Sequence, residues 1–163
     1  HFCLFCQSWS AVSKIIVLRT ATIIAIIIGC YALTYASDVF THGMAGGSVT
    51  DWTLYDSHYT ERFMGTPANN PEGYKSSSVM THASKYKGMI QVVHGMIDDN
   101  VHIQNSIQFI SKLQDLKKDF EFMPYSGGRH GWGGNKGTHF QNLKTKFIYT
   151  YLLEKHAPKT MLK

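Results

Sequence analysis

The rhythm of apolar positions changes along the chain. From Lys14 to Ala36 they run almost unbroken (KIIVLRTATIIAIIIGCYALTYA), with no charge between Arg19 and Asp38. About 18 uncharged residues sit at the lower bound for a membrane span, and a buried strand followed by a buried helix would be as apolar. Membrane insertion, a buried α/β segment and sequence foreign to the native chain all stay open for this stretch. Beyond Asp38 the pattern turns ordinary. GMAGGSVTDW (Gly43 to Trp52) reads as a short strand ending in a loop. Pro67, Asn69, Asn70, Pro71 and Gly73 mark turns, and Ser76, Ser77 and Ser78 offer capping oxygens ahead of a short segment. GMIQVVH (Gly88 to His94) is a compact apolar run that suits a strand buried on both faces. Val101, Ile103, Ile107, Ile110 and Leu113 then recur at helical spacing through Leu116, and Phe120 and Phe122 alternate with charged residues in DFEFMPY, the pattern of a strand. A glycine-rich loop, SGGRHGWGG (Ser126 to Gly134), leads into Leu143, Phe147, Ile148, Tyr151 and Leu152, which share one helical face up to Lys155. Alternating strands and helices of these lengths predict an α/β fold: a parallel sheet flanked by helices, with right-handed crossovers and functional loops at the carboxyl ends of the strands.

Composition changes this picture little. A chain of 163 residues is long enough for one domain with a substantial core. Its net charge of +5 gathers partly near the C-terminus, at Lys144, Lys146, Lys155, Lys159 and Lys163, without a nucleic-acid-binding motif, so no nucleic acid is expected as a partner. The nine histidines are scattered and none falls in His-Glu-x-x-His, so neither a metal site nor a cofactor is expected. Cys3 and Cys6 form a CxxC and Cys30 stands alone; three such cysteines make neither a disulfide framework nor a four-ligand zinc site. The first residue is His1 rather than a methionine, which suggests a fragment or a processed product.

Chemistry concentrates in two loops. HGMIDDNVH (His94 to His102) and SGGRHGWGG present acidic groups and a histidine from strand ends about thirty residues apart. Nucleophilic hydrolysis can use that arrangement: a histidine accepts the nucleophile's proton and returns it to the leaving group, while a carboxylate fixes the ring's tautomer and stabilises the imidazolium.

With its HG-x-x-DDNVH motif and a later His-Gly, the chain resembles the dipeptidyl peptidase IV branch of the prolyl oligopeptidase family of serine peptidases. The Asp-then-His order also matches the α/β-hydrolase order Ser, Asp, His. The resemblance runs from about Tyr31 to Leu153 and implies the C-terminal portion of an α/β-hydrolase fold. It implies Asp98 as the catalytic acid, His130 as the general base, Asn100 near the substrate carbonyl, and Asp99 shaping the loop. WTLYDSHYTERFMG (Trp52 to Gly65) is similar to the family's segment lining a proline-preferring primary pocket, with Val49, Trp52, Tyr55, Tyr59 and Val101 as the lining residues implied here. Flat aromatic walls accept a pyrrolidine ring by apolar contact. A peptide substrate of a longer parent is implied, as are membrane-associated or extracytoplasmic placement and homodimerisation through the C-terminal helix, Leu143 to Leu153.

The pattern breaks at the nucleophile. In this fold the serine sits in Gly-x-Ser-x-Gly on a strained strand-to-helix turn, and no such motif occurs anywhere in the sequence. YALTYASDVF (Tyr31 to Phe40) resembles the helix after that turn, which puts the expected serine near Ile26 or Ile27. Ser37 lies too late in that helix, and Ser48, in GGSVTD, resembles the next strand. The expected organisation is an atypical apolar segment over 1–30, a partial hydrolase domain over 31–155 and a tail over 156–163. The readings are a fragment of an active enzyme, an inactive pseudoenzyme, and a membrane-tethered interaction protein.

Overall fold

The computed structural model describes residues 14–17 and 30–162. The Cys3–Cys6 pair, most of the apolar run and the expected nucleophile positions Ile26 and Ile27 lie outside the described residues. Four parallel strands, β1 (Lys14–Val17), β2 (Phe40–Gly46), β3 (Met89–Gly95) and β4 (Phe120–Tyr125), stand in the sheet in chain order. Between them and after them come α1 over 30–35, α2 (Ser57–Met64), α3 (Pro71–Ser77), α4 (Val79–His82), α5 (Gln104–Asp115) and α6 (Gly134–Tyr151). The expected α/β class and the parallel adjacency of β3 and β4 are both observed. Their register pairs Ile90 with Phe120 and Gly95 with Tyr125, so the two strands end side by side. Because α5 returns the chain to the starting edge, both functional loops leave the same end of the sheet.

The strand period of two divides side chains between the sheet's faces. Ala45, Ile90 and Val92 meet Cys30 and Leu33 of α1, Val79 of α4, and Phe109 and Leu113 of α5, with Phe40, Phe120 and Phe122 packed against them. On α6, Phe147 is buried, and Tyr151 donates to Glu121 Oε1 of β4 at 2.7 Å. With helices covering it, β3 is buried from Ile90 to Gly95, as its compact apolar run predicts.

Several expected boundaries move, each for a local reason. The Gly43–Trp52 strand is instead Phe40–Gly46, because Gly47 turns the chain at φ +57°. Ser48 therefore lies in the loop beyond the strand, and the helix expected over Tyr31–Phe40 stops at residue 35. The loop-rich stretch holds three short helices. Asp56 caps α2 by accepting from Tyr59 N at 2.8 Å, and Asn70 caps α3 by accepting from Gly73 N at 3.1 Å. Pro71 and Gly73 thus belong to α3, with proline in its first turn where no donor is lost. Ser76 and Ser77 lie within α3 and Ser78 gives no capping bond; its hydroxyl donates to Asp51 Oδ2 at 2.7 Å. α5 starts at Gln104 rather than Val101, because the Asp98 carboxylate takes the amides of Asn100 and Val101 and holds them in a loop. α6 begins nine residues ahead of Leu143, where GNKGTH shows no apolar period, and it ends at Tyr151 rather than Lys155.

Candidate active site

The site is built where β2, β3 and β4 end. Asp98 lies in the loop after β3 with its side chain fully buried. Oδ1 accepts from the amides of Asn100 at 3.0 Å and Val101 at 2.9 Å. Oδ2 lies 2.9 Å from His130 Nδ1 and 3.3 Å from His94 Nε2. Burial of the carboxyl pushes its pKa up, but the hydrogen bonds from His94, His130 and the amides of Val101 and Asn100 outweigh it and bring it down to about 2. Asp98 is therefore a fixed anion at neutral pH. Since a carboxylate can only accept, His130 Nδ1 carries its proton towards Asp98, which leaves Nε2 free to act as a base.

Three features hold the two loops together. Met96 N donates to Tyr125 O and Ile97 N to Gly128 O, both at 3.0 Å, so the backbones stay paired past the strand ends. Gly95 is required at the junction: a Cβ there would come 2.1 Å from Arg129 O and 2.4 Å from Gly128 O. Outside, Arg129 pairs with Asp99. That pair is exposed and contributes little beyond alignment. Beneath the histidine loop, Trp132 packs on Tyr125 with ring centroids 4.4 Å apart, and Tyr125 Oη lies 3.0 Å from His139 Nδ1.

The structure also brings the aromatic segment to this place. Asp51 starts a single turn over Trp52–Leu54, followed by Tyr55 and α2. Trp52 and Tyr59 are stacked at 6.3 Å and 18°, with Tyr55 edge-on to both at 6.1 Å and 5.7 Å. Tyr55 Oη donates to Asn100 Oδ1 at 2.9 Å, joining the cluster to the Asp98 loop. Its phenol pKa is raised, first by burial and then by the nearby carboxylates of Asp56 and Asp98, so it remains a donor. Val49 and Val101 are buried. Ser48 is fully buried as well, which keeps its hydroxyl from any substrate, and Ser37 is 5% exposed.

Three residues without a role assigned from sequence also shape the site. Gly47 lies against the imidazole: a Cβ there would meet His130 Cε1 at 3.1 Å, His130 Nδ1 at 3.2 Å and Asp98 Oδ2 at 3.4 Å. The GG of GMAGGSV was its only signal. Asn105, wholly buried in α5, accepts from the amides of Thr50 and Asp51 and donates to Leu54 O and His102 O, pinning the aromatic segment to the sheet. A polar residue inside an apolar helical pattern was the available clue. His94 closes β3 and is also buried, with Nδ1 2.7 Å from Ser106 Oγ and Nε2 2.8 Å from Val101 O.

Known proteins share this arrangement of strands. The model of the prolyl oligopeptidase family matches residues 28–156. Human prolyl endopeptidase FAP is 40% identical over 120 residues, 72% of this chain and 16% of that protein. Probable dipeptidyl-aminopeptidase B of Emericella nidulans is 49% identical over 96 residues, 56% of this chain and 10% of that one. The crystal structure of Porphyromonas gingivalis dipeptidyl peptidase 4 superposes with a TM-score of 0.76 at 38% identity, covering 78% of this chain and 18% of that one. The chain thus spans less than a fifth of the length of each of these relatives. With the family model covering most of the sequence, and with dipeptidyl peptidases among its relatives in both sequence and structure, this chain belongs to the prolyl oligopeptidase family, in the dipeptidyl peptidase IV branch.

Proposed function

We propose that this chain supplies the acid–histidine half of a serine-type peptidase cleaving after proline, and that its longer parent carries the nucleophile. The observation that supports this most is the 2.9 Å contact between His130 Nδ1 and the buried Asp98 carboxylate, at the end of the sheet where this fold does its chemistry. Asp98 would hold the ring in one tautomer. His130 Nε2 would take the proton of an attacking serine hydroxyl and pass it to the departing amine, with Asp98 stabilising the imidazolium between the two steps. Trp52, Tyr55 and Tyr59, backed by Val49 and Val101, would form the apolar slot for a proline ring. Tyr55 occupies the Asn100 side-chain carbonyl, which would leave the Asn100 amide donor for a substrate carbonyl. Homodimerisation through α6 and the adjoining surface belongs to the same proposal.

A second reading, a family member that binds without reacting, is favoured by the absence of Gly-x-Ser-x-Gly from the sequence. Among the described residues no helix is long and apolar enough to cross a membrane, so a tether would have to come from residues outside them. The test compares this chain with its longest parent transcript product on glycyl-prolyl-4-nitroanilide and a serine-directed phosphonate. The chain alone should release no burst of nitroaniline and take no label, since removing the nucleophile removes the covalent route. The parent should do both. An inert, unlabelled parent would establish the non-catalytic reading, and labelling of the isolated chain would overturn both.

A further inference from the structure

His94 is the one fully buried histidine among the described residues, and the proton transfer set out above does not use it. It is the penultimate residue of β3, and the loop that carries Asp98 is folded around its ring. Nδ1 meets Ser106 Oγ in the first turn of α5 at 2.7 Å. Nε2 meets Val101 O, at the far end of the loop, at 2.8 Å, and Asp98 Oδ2 at 3.3 Å. A carbonyl and a carboxylate both only accept, so Nε2 must carry a proton, which points to Val101 O with Asp98 Oδ2 close beside it. One ring thus ties the end of a strand, the exit of the loop, the start of the next helix and the acid itself.

From this geometry we propose that His94 is a positioning residue, one that sets the plane of the Asp98 carboxylate and thereby the hydrogen bond that Asp98 accepts from His130. The inference rests on the acid–histidine reading above and deepens it. The two backbone amides hold Oδ1 alone, and a carboxylate gripped at one oxygen can still swing about its Cβ–Cγ bond. On the solvent side His130 Nδ1 reaches both oxygens, Oδ2 at 2.9 Å and Oδ1 at 3.2 Å, and on the buried side His94 meets Oδ2 alone. His130 is 28% exposed and has to move protons, whereas His94 has no exposure and is held at both nitrogens. Between the two, His94 is the fixed post. Groups facing Asp98 from the remaining directions are the amides of Asn100 and Val101, the Gly47 backbone and the Tyr55 phenol, and none of these hydrogen-bonds Oδ2.

The test uses the full chain, labelled with 13C and 15N at histidine and aspartate, with His130 assigned through His130→Gln. The readouts are the far-downfield His130 Nδ1 proton and the Asp98 carboxyl titration. Neither needs substrate or a nucleophile, so an inert parent enzyme would leave this result standing. His94→Leu, of similar apolar bulk, should broaden or lose the downfield proton and raise the Asp98 midpoint from about 2 towards the ordinary carboxylate value of about 4. His94→Gln, which keeps a donor at the same reach, should restore both. If His94→Leu proves unfolded, Ser106→Ala, which frees Nδ1 without touching Asp98, should move both signals partway in the same direction. A folded His94→Leu chain with an unchanged His130 proton and Asp98 midpoint would overturn the proposal. So would failure of His94→Gln to restore them, or a silent Ser106→Ala variant when His94→Leu is unfolded.

Discussion

Replacing Gly47 with alanine should damage both stability and the acid–histidine contact. Gly47 adopts φ +57°, in the left-handed region, where an L-residue costs about 1–2 kcal/mol. The added Cβ would lie 3.1 Å and 3.2 Å from two atoms of the His130 ring and 3.4 Å from Asp98 Oδ2, so the imidazole must shift by a few tenths of an ångström. Together these effects predict a loss of about 2 kcal/mol, or about 4–8 °C in Tm for a chain of this length. Urea unfolding would measure the loss, and the His130 Cε1 chemical shift would follow the ring. Gly131→Ala is the matched control: its Cβ would meet nothing within 4 Å, and its effect should stay within about 0.5 kcal/mol. If Gly47→Ala were as mild as that control, or left the His130 shift unmoved, the close packing of backbone on imidazole would be refuted.

Three further expectations can be checked. Asp98 has a folded pKa of about 2 against an ordinary 3.8, so its hydrogen bonds stabilise the fold by about 2 kcal/mol above pH 4. That contribution should fade as pH falls from about 4 to about 2 and be absent from Asp98→Asn, as urea midpoints across that range would register. Asn105→Ala orphans the buried Thr50 amide and should cost about 1–3 kcal/mol while making Trp52 more accessible to acrylamide quenching. Phe109→Ala, at a position with no solvent exposure, should cost about 3–5 kcal/mol by denaturant titration.

What could be read from sequence followed the strength of each physical signal. β3 and β4 stood out because a strand buried on both faces has to be apolar and a half-buried one has to alternate. The Asp98–His130 pair stood out because the residues around each follow a recurrent motif. The start of α5 was misjudged since Val101 and Ile103 fit the helical period, although a side chain three residues back had already claimed the Val101 amide. No periodicity reports such a capture. The same limit hid the first half of α6, where glycines and polar residues carry no apolar stripe, and the short helices of the 57–82 stretch, where Asn70 and Asp56 cap turns too brief to show a period. Gly47 and Asn105 act through residues far away in sequence, and a local pattern cannot show a partner 55 residues distant, as Thr50 is from Asn105.

The backbone bonds that continue from β3 and β4 into their loops have a consequence for how such a site is inherited. Asp98, His130 and the hydrogen bond that joins them belong to a single strand–helix–strand unit, from Met89 to His130, closed by Met96 N to Tyr125 O and Ile97 N to Gly128 O, with Gly47 packed against the ring from outside it. On the function proposed above, proton handling would thus come as one unit, and attack on the substrate would be contributed by another strand. Gene rearrangement can separate the two without disturbing the first. Conversely, a nucleophile strand supplied on a second chain would find the proton-accepting half already assembled, with docking as the only geometric problem left to solve.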